Sequence, residues 1–162
     1  MKIVDNYLED NLYQDIKEFI TSENIPWYLR KEDTINSYNK NGYYTFSYFN
    51  ENCINHPMFN KHIEPILNKL KTKFPIEVRA NLTHRDKDGV ESSYHVDRTF
   101  KCMSAILFLT NCNSKTILKI NDEEKLVDSV ENRMLIFDSN ILHKVKYQTD
   151  VHKRYILNFN YY

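Results

Sequence analysis

The sequence lacks an excess of charge of either sign and has few cysteines. Its 22 basic and 22 acidic residues give a formal net charge of zero, so no broad positive field is present to attract a nucleic-acid backbone. The three cysteines, Cys53, Cys102 and Cys112, are odd in number and lack the close spacing of a metal site. This pattern favours a reducing compartment with buried or incidental thiols, and it argues against a catalytic cysteine.

Long hydrophobic segments are also missing. No apolar stretch reaches the length of a membrane span, and the N-terminal residues lack the basic start and hydrophobic middle of a signal peptide. We therefore expect a soluble, cytoplasmic protein with no membrane partner. With 162 residues, and without internal repeats or low-complexity linkers, the chain is expected to form a single domain, residues 1–162, with its own core.

Helix patterns come first in the chain and strand patterns follow. Apolar residues recur at helical spacing in Glu9–Ser22 and again in Pro57–Lys71, where Asn55 is a candidate cap and Pro65 a candidate kink. Between the two helices, Tyr43–Phe49 alternates aromatic and polar residues as a strand does. Eight further segments are predicted to be strands: 76–83, 92–97, 101–110, 116–120, 125–130, 133–138, 142–147 and 153–162.

This order of elements predicts a mainly β fold with flanking helices. Short strands bounded by polar turns are typical of a sandwich or barrel, and the two N-terminal helices are expected to pack on one outer face. The helical N-terminal part is expected to span about residues 1–73, and the β core about residues 74–162.

The most informative motif is the triplet His95-Val96-Asp97, with His143 and Arg154 further along the chain. Residues 94–98 are predicted to end a strand, where side chains at i and i+2 leave on the same face, so His95 and Asp97 can converge on one ion. Two imidazoles and one carboxylate bind one face of Fe(II) and leave the opposite positions open. Arg154 presents a planar fork that suits a carboxylate.

A His-x-acid triplet alone is weak evidence, because the chain has six histidines and a surface or hydrogen-bonded histidine is the commoner case. The setting favours the metal interpretation, since His143 follows the apolar run Met134–Phe137 and Arg154 opens the last predicted strand. His152 competes with His143 as the third ligand, although strand alternation favours His143.

Several segments also carry a family resemblance. They are IVDNYL (3–8), IPWYL (25–29), YHVD (94–97), KCMSAILFL (101–109), NRMLIFDSNILH (132–143) and RYILNFNYY (154–162). In this order the chain resembles the Fe(II)/2-oxoglutarate-dependent dioxygenases, particularly their prolyl-hydroxylase-like branch and small phage members. The resemblance implies a double-stranded β-helix, which is a jelly-roll, cupin-like barrel with the metal in its mouth.

The resemblance also implies roles for individual residues. His95, Asp97 and His143 would be the iron ligands, and Arg154 would bind the distal carboxylate of 2-oxoglutarate. The implied cofactors are Fe(II), the cosubstrate 2-oxoglutarate and O2, with ascorbate as a reductant. Enzymes of this kind oxidise 2-oxoglutarate to succinate and CO2 and hydroxylate a C–H bond of the substrate.

Two departures from the family pattern concern the rest of the site. Related enzymes often have tyrosines near Thr83 and Phe108 that contact 2-oxoglutarate, and this chain has none there. Asn81, Thr83 or a different tyrosine is expected to replace them, and Asn158 is expected to share a face with Arg154. A Gly-Gly turn of the family is replaced by Lys115-Thr116.

The remaining polar residues near the motif allow alternative roles. His84–Glu91 is either a loop that closes over substrate or a plain turn, in which Gly89 supplies an unusual backbone angle. His84 is a candidate substrate contact, and Arg98 either binds a charged substrate group or forms a surface salt bridge. For His56 and His62, in or near the second helix, we expect solvated or capping roles.

Three functions are consistent with the sequence. The first is an Fe(II)/2-oxoglutarate-dependent hydroxylase of a peptide or protein residue such as proline. The second keeps the chemistry but acts on a nucleobase or a free small metabolite; the sequence gives no strong nucleic-acid signal. The third is a non-catalytic metal-binding barrel. The protein would act in the cytoplasm, or in the host cytoplasm if it is viral, and its oligomeric state is open.

Overall fold

A computed structural model of the chain describes residues 1–30 and 42–162. This part of the chain contains eleven strands, two α-helices and one π-helical turn. The strands are β1 (Lys2–Val4), β2 (Tyr28–Arg30), β3 (Tyr43–Asn50), β4 (Cys53–Ile54), β5 (Pro75–His84), β6 (Met103–Phe108), β7 (Cys112–Ile120), β8 (Glu123–Ser129), β9 (Met134–Asp138), β10 (His143–Lys146) and β11 (Lys153–Tyr161). The helices are α1 (Asp10–Thr21) and α2 (Glu64–Leu70), and the π-helical turn, Phe59–Ile63, leads directly into α2.

The strands form two antiparallel sheets. The large sheet has the order β1-β9-β6-β11-β5-β3-β2, with β4 paired to β3, and the small sheet has the order β10-β7-β8. Side chains from both sheets share one buried cluster, in which Phe108, Phe137 and Ile156 meet Leu118 and Val127. The two sheets therefore face each other as a sandwich. The prediction of a mainly β fold with two helices is confirmed, although the sheets are not closed into a barrel.

A larger hydrophobic cluster lies on the other side of the large sheet. It joins Ile16 of α1 and Ile66 of α2 to Val78, Leu107 and Phe159 of the sheet strands, all fully buried. Helix and sheet residues thus bury their apolar faces in one core. Burial of a side chain of this size contributes roughly 1.5–3 kcal/mol, so this cluster is a main source of stability.

Strand alternation sorts the residues of β11 between the two clusters. Tyr155, Leu157 and Phe159 belong to the cluster beneath the helices, whereas Ile156 belongs to the cluster between the sheets. Arg154, which shares the parity of Ile156, therefore points between the two sheets. The same period of two applies to the neighbouring strands β5 and β6.

Several predicted elements need correction. Residues 92–97 do not form a regular strand; the segment is extended and pairs with β10 only through isolated bridges at Glu91 and His95. The part before residue 74 is not simply helical, because β1–β4 lie there and join the large sheet. These strands have mostly exposed side chains, apart from β3, and lack the alternation of burial that makes a strand recognisable.

The second helix begins differently from the prediction. Asn55 does not cap it but donates from Nδ2 to Ser47 Oγ (2.9 Å), and His56 Nδ1 instead accepts the backbone N–H of Met58 (3.2 Å). Pro65 lies in the first turn of α2, where its missing N–H is tolerated. Proline has no N–H to donate, so a continuous α-helix would lack one backbone hydrogen bond at Pro65. The π-helical turn ends just before this position.

His62 is fully buried, contrary to the prediction of a solvated or capping residue. Its ring lies between the Tyr48 hydroxyl at Nδ1 (3.2 Å) and the Asp15 carboxylate at Nε2 (2.9 Å). The Asp15 carboxylate also accepts a hydrogen bond from Lys61. This network connects α1 to the π-helical turn through polar contacts inside an otherwise apolar interface.

Candidate metal and dicarboxylate site

Three potential metal ligands meet at one end of the space between the sheets. The ligand atoms of His95, Asp97 and His143 lie within 4.8 Å of one another, and His143 Nε2 is 3.7 Å from Asp97 Oδ1. Two reciprocal backbone hydrogen bonds of 2.9 Å join His95 to His143. This bridge brings the two rings together, at a centroid distance of 4.3 Å, even though the segment of His95 is not a regular strand.

His143 is oriented for metal binding by its own backbone environment. Its Nδ1 donates to the carbonyl oxygen of Ile141 (2.9 Å), so Nε2 carries the free lone pair and faces Asp97. Burial lowers the pKa of His143, which favours the neutral form that a metal needs. Its ring packs edge-on against Phe137 of β9.

Asp97 is held through only one of its two carboxylate oxygens. Oδ2 accepts hydrogen bonds from Ser104 Oγ (2.5 Å) and Asn160 Nδ2 (3.3 Å), and Asn160 also donates to Ser104 Oγ (2.9 Å). Asn160 Oδ1 in turn accepts from Arg98 Nε (3.3 Å), and Arg98 forms an ion pair with Glu77 (2.6 Å). Oδ1 of Asp97 is left free on the side of His143, as a metal ligand requires.

A cavity of about 320 Å³ adjoins the three ligands, a size within the range of small-molecule sites, roughly 300–1,000 Å³. Its floor is the inner face of the large sheet. The pairing of β5, β11 and β6 arranges this floor in cross-strand rows, which are Thr83–Arg154, then Asn81–Ile156–Phe108, then Arg79–Asn158–Ile106, and finally Glu77–Asn160–Ser104. The potential metal ligands lie at the last row, where Asp97 contacts Asn160 and Ser104.

Arg154 lies at the opposite end of the same cavity. It is 3% exposed, its Nε donates to Ser129 Oγ (3.2 Å), and its guanidinium lies over the Phe108 ring at 5.5 Å. Burial lowers the pKa of the guanidinium, although arginine stays charged at any working pH. No carboxylate of residues 1–30 and 42–162 forms an ion pair with Arg154. A buried cation without a counter-ion is costly unless a ligand supplies the negative charge.

The other predicted site residues all line this cavity, but they differ in whether their side chains already have a hydrogen-bond partner. Thr83 Oγ1 is already bonded to Gln148 Oε1 (3.2 Å). Asn81 Oδ1 is buried without a hydrogen-bond partner. Asn158 is 7% exposed, and its amide forms no hydrogen bond within the described chain. Asn81 and Asn158 therefore retain hydrogen-bonding capacity, whereas that of Thr83 is partly used.

Sequence reasoning missed several cavity residues, among them Tyr147, Arg79 and Lys144. Tyr147 was identifiable, because the predicted strand 142–147 puts it on the same face as His143 and Val145, and all three line the cavity. Its hydroxyl-bearing ring lies near the arginine end, where related enzymes have tyrosines on other strands. Lys144 is held by Glu91 and Glu124 at 2.8 Å each.

Other candidate residues lie outside the cavity wall. His152 is exposed and does not belong to the cluster formed by His95, Asp97 and His143. His84 ends β5 and packs on Tyr44, and Arg98 forms a salt bridge with Glu77. Gly89 has the positive φ (62°) that the sequence predicts.

The loop containing Gly89 is attached to the segment that precedes β11. The backbone N–H groups of Arg85 and Asp86 donate to the carbonyl oxygens of His152 and Gln148. Within this loop, the Asp86 carboxylate accepts a hydrogen bond from the backbone N–H of Asp88 (2.9 Å) and so closes a turn.

No protein-family model matches the sequence, and no curated protein matches it. Solved structures do share the fold. A prolyl hydroxylase from Trichoplax adhaerens, in complex with a hypoxia inducible factor oxygen degradation domain peptide fragment, has a TM-score of 0.70 at 13% identity over 99% of this chain and 82% of that one. A Pseudomonas putida prolyl-4-hydroxylase has a TM-score of 0.70 at 14% identity, over 99% and 91%.

An oxidoreductase of the 2OG-Fe(II) oxygenase family from Burkholderia pseudomallei has a TM-score of 0.67 at 10% identity, covering 91% of this chain and 76% of that one. At these identities the likeness concerns the fold. Among residues 1–30 and 42–162, no helix is long and apolar enough to cross a membrane. The chain thus has the fold of 2-oxoglutarate/Fe(II) oxygenases, with a potential three-ligand metal cluster and a buried arginine in one cavity.

Proposed function

We propose that the protein is an Fe(II)- and 2-oxoglutarate-dependent dioxygenase that hydroxylates a C–H bond and releases succinate and CO2. The observation that carries this proposal is the content of one cavity: an open His-Asp-His cluster at one end and a buried arginine without a carboxylate partner at the other. A metal alone would account for the cluster but not for Arg154. A dicarboxylate that reaches from the metal to Arg154 accounts for both.

The donor set fits Fe(II). Two neutral imidazoles and one carboxylate are the ligands of non-haem Fe(II) oxygenases, and three protein ligands leave positions open for other groups. His143 offers Nε2 because Ile141 binds Nδ1, and Asp97 offers Oδ1 because Ser104 and Asn160 bind Oδ2. These hydrogen bonds fix the ligand orientation before any metal arrives.

We assign Arg154 to the distal carboxylate of 2-oxoglutarate. Ser129 and the Phe108 ring hold the guanidinium from two sides, and its two terminal nitrogens suit a bidentate carboxylate. Asn81, Asn158 and the Tyr147 ring line the cavity between Arg154 and the metal ligands. We assign the remaining contacts with the cosubstrate to these three residues and to Thr83, whose hydroxyl also bonds Gln148.

The bound iron and 2-oxoglutarate would supply the oxidative chemistry, namely the conversion of the substrate, O2 and 2-oxoglutarate into hydroxylated product, succinate and CO2. The protein's own residues contribute placement and water exclusion. Ile106, Ile156 and Val145 line the cavity with apolar surface, which limits the water around the reacting groups. Arg154 and the three metal ligands would hold the two partners at fixed positions.

We further propose that the substrate is a peptidyl residue such as proline. This finer assignment is supported by the shared fold with two prolyl hydroxylases, one of them in complex with a peptide. The cavity is open to the outside at the exposed His95, so a peptide segment can reach the metal ligands from solvent. A nucleobase or a small metabolite would be hydroxylated by the same chemistry. The assay below distinguishes these substrates from a peptide.

Succinate formation tests the proposal. Anaerobically purified protein is incubated with Fe(II), 2-oxoglutarate and ascorbate, O2 is admitted, and succinate is measured with and without proline-containing peptides, nucleotides and free metabolites. We expect metal-dependent succinate formation that rises with peptides. Stimulation by nucleotides or metabolites alone would change the substrate class and keep the chemistry.

The variants His143→Ala and His152→Ala form a matched pair for this assay. Both remove one imidazole from neighbouring segments of the chain, but only His143 belongs to the ligand cluster. We expect succinate formation to be lost in His143→Ala and retained in His152→Ala. Absence of both 2-oxoglutarate binding and turnover in the wild-type protein would leave only a non-catalytic metal-binding protein.

A further inference from the structure

One side of the cavity floor carries positive charge that the proposed cofactors do not use. Arg79 of β5 lines the cavity and lies directly opposite Asn158 of β11. It is one row, about 7 Å along the strands, from the row in which Asn160 and Ser104 contact Asp97. A group bound at Arg79 would therefore lie close to the potential metal ligands.

The charge of Arg79 is only partly balanced. Its single hydrogen bond within the described chain runs from Nη1 to Glu77 Oε1 (3.2 Å), and the same carboxylate forms a shorter ion pair with Arg98 (2.6 Å). Two guanidinium groups thus share one carboxylate, which leaves a net positive charge. Lys144 does not add to it, because Glu91 and Glu124 both pair with that ammonium group.

The proposed cofactors do not consume this charge. The formal charges of an iron(II) ion, the Asp97 carboxylate, a 2-oxoglutarate dianion and the Arg154 guanidinium add up to zero. Arg79 lies on β5, to one side of β11, whereas Ser104, which contacts Asp97, lies on β6, to the other side of β11. The surplus charge therefore lies beside the expected path of the cosubstrate along β11 rather than on it.

Arg79 also carries an unused hydrogen-bond donor. Its Nε is buried without a hydrogen-bond partner. Buried polar groups normally find partners. An unpartnered buried N–H on a guanidinium with surplus positive charge indicates an anionic ligand.

We propose that Arg79 binds a carboxylate of the substrate, so that the substrate is a carboxylate-bearing molecule. This inference rests on the proposed oxygenase function and narrows its substrate class. The carboxylate has three sources: a free amino acid, the C-terminus of a peptide, or an acidic side chain within a peptide.

Succinate formation above the substrate-free level measures the preference. Four probe sets are compared: free amino acids, peptides without Asp or Glu that end in a carboxylate, amidated peptides containing Asp or Glu, and amidated peptides without any carboxylate. We expect at least one of the first three sets to stimulate turnover, and its identity names the source. The carboxylate-free set should have no effect.

Two substitutions separate substrate binding from a structural ion pair. Arg79→Gln should raise the KM for the active probe on the order of 10- to 100-fold, the range expected for loss of one charge-assisted hydrogen bond. Glu77→Gln removes the competing carboxylate and should leave that KM unchanged or lower it. If Arg79 served only to pair with Glu77, both variants would impair the protein alike.

Arg133→Gln is the matched control, because Arg133 pairs with Asp5 away from the cavity; its KM values should equal those of the wild type. Equal stimulation by the carboxylate-free set, stimulation by no set, or an unchanged KM in Arg79→Gln would overturn the inference. Failure of the oxygenase proposal itself is recognised separately, because the wild-type protein would then bind no 2-oxoglutarate.

Discussion

At the scale of single residues, the candidate site depends on which atoms are already occupied. Asp97 accepts hydrogen bonds at Oδ2 from Ser104 and Asn160, and His143 donates from Nδ1 to Ile141. Each ligand is therefore left with one free atom, and these atoms face each other. The same logic identifies Arg154, whose guanidinium is buried but has no carboxylate partner within the described chain.

Replacing Asn160 tests this orientation. Asn160→Ala removes one hydrogen bond to Asp97 and the link to Arg98. Changes of this kind next to a metal ligand typically cost about 10- to 100-fold in metal affinity. We expect that loss for Fe(II) or for Mn(II) as a redox-stable substitute, measured by anaerobic calorimetry.

Asn132→Ala is the control for burial. Asn132 is also buried, but it lies in the turn before β9 and its side chain bonds the backbone of Leu8 rather than Asp97 or Ser104. It should lower the thermal stability and leave metal affinity unchanged. Equal metal affinity in the wild type and in Asn160→Ala would show that Asp97 does not need this support.

At the scale of elements, the polar contact between α1 and the π-helical turn makes stability depend on pH. His62 is fully buried, and burial lowers its pKa. In the unfolded chain the imidazole has its ordinary pKa of about 6.5, so below that pH the unfolded state binds a proton that the folded state resists. The contribution of His62 to stability is therefore present at neutral pH and declines as the pH falls through about 6.5.

The expected result is a decrease in the free energy of unfolding between pH 7.5 and pH 5, measured by urea denaturation. His62→Gln keeps polar groups in the interface but does not titrate, so its decrease should be smaller. Burial also lowers the pKa values of His84 and His143, so part of the wild-type decrease should remain. A decrease of equal size in both proteins would refute the role of His62.

The elements also show what a sequence pattern can and cannot predict. Helix α1 and strand β5 were predictable, because each buries one face and its sequence shows a clear period. Strand β11 is buried on both faces and was predictable as a short run rich in apolar and aromatic residues. Strands β1, β2 and β4 have mostly exposed side chains and are held by backbone pairing, which leaves no trace in composition. The segment of His95 was predicted to be a strand, but it pairs with β10 only through isolated bridges. The extent of this pairing depends on tertiary structure, which a local sequence pattern does not reveal.

At the scale of the whole molecule, two sheets enclose one cavity with opposite chemistry at its ends. Alternation along the last strand predicted that Arg154 and Asn158 share a face, and both line the cavity. The contribution of β5 was only partly predictable. That Arg79 and Asn158 are neighbours follows from the register between β5 and β11, which turn and packing geometry determine.

The central claim is that the His-Asp-His cluster and Arg154 form one site for a metal and a dicarboxylate. Anaerobic calorimetry of 2-oxoglutarate binding, with and without Fe(II), measures this directly. We predict one 2-oxoglutarate per chain and a marked dependence of binding on the metal. Loss of a buried charge-assisted pair worth about 3 kcal/mol should weaken binding on the order of a hundredfold in Arg154→Ala.

Arg133→Gln, a change of a surface arginine that pairs with Asp5, should bind 2-oxoglutarate as the wild type does. Binding that is independent of the metal, or near-normal affinity in Arg154→Ala, would contradict the account.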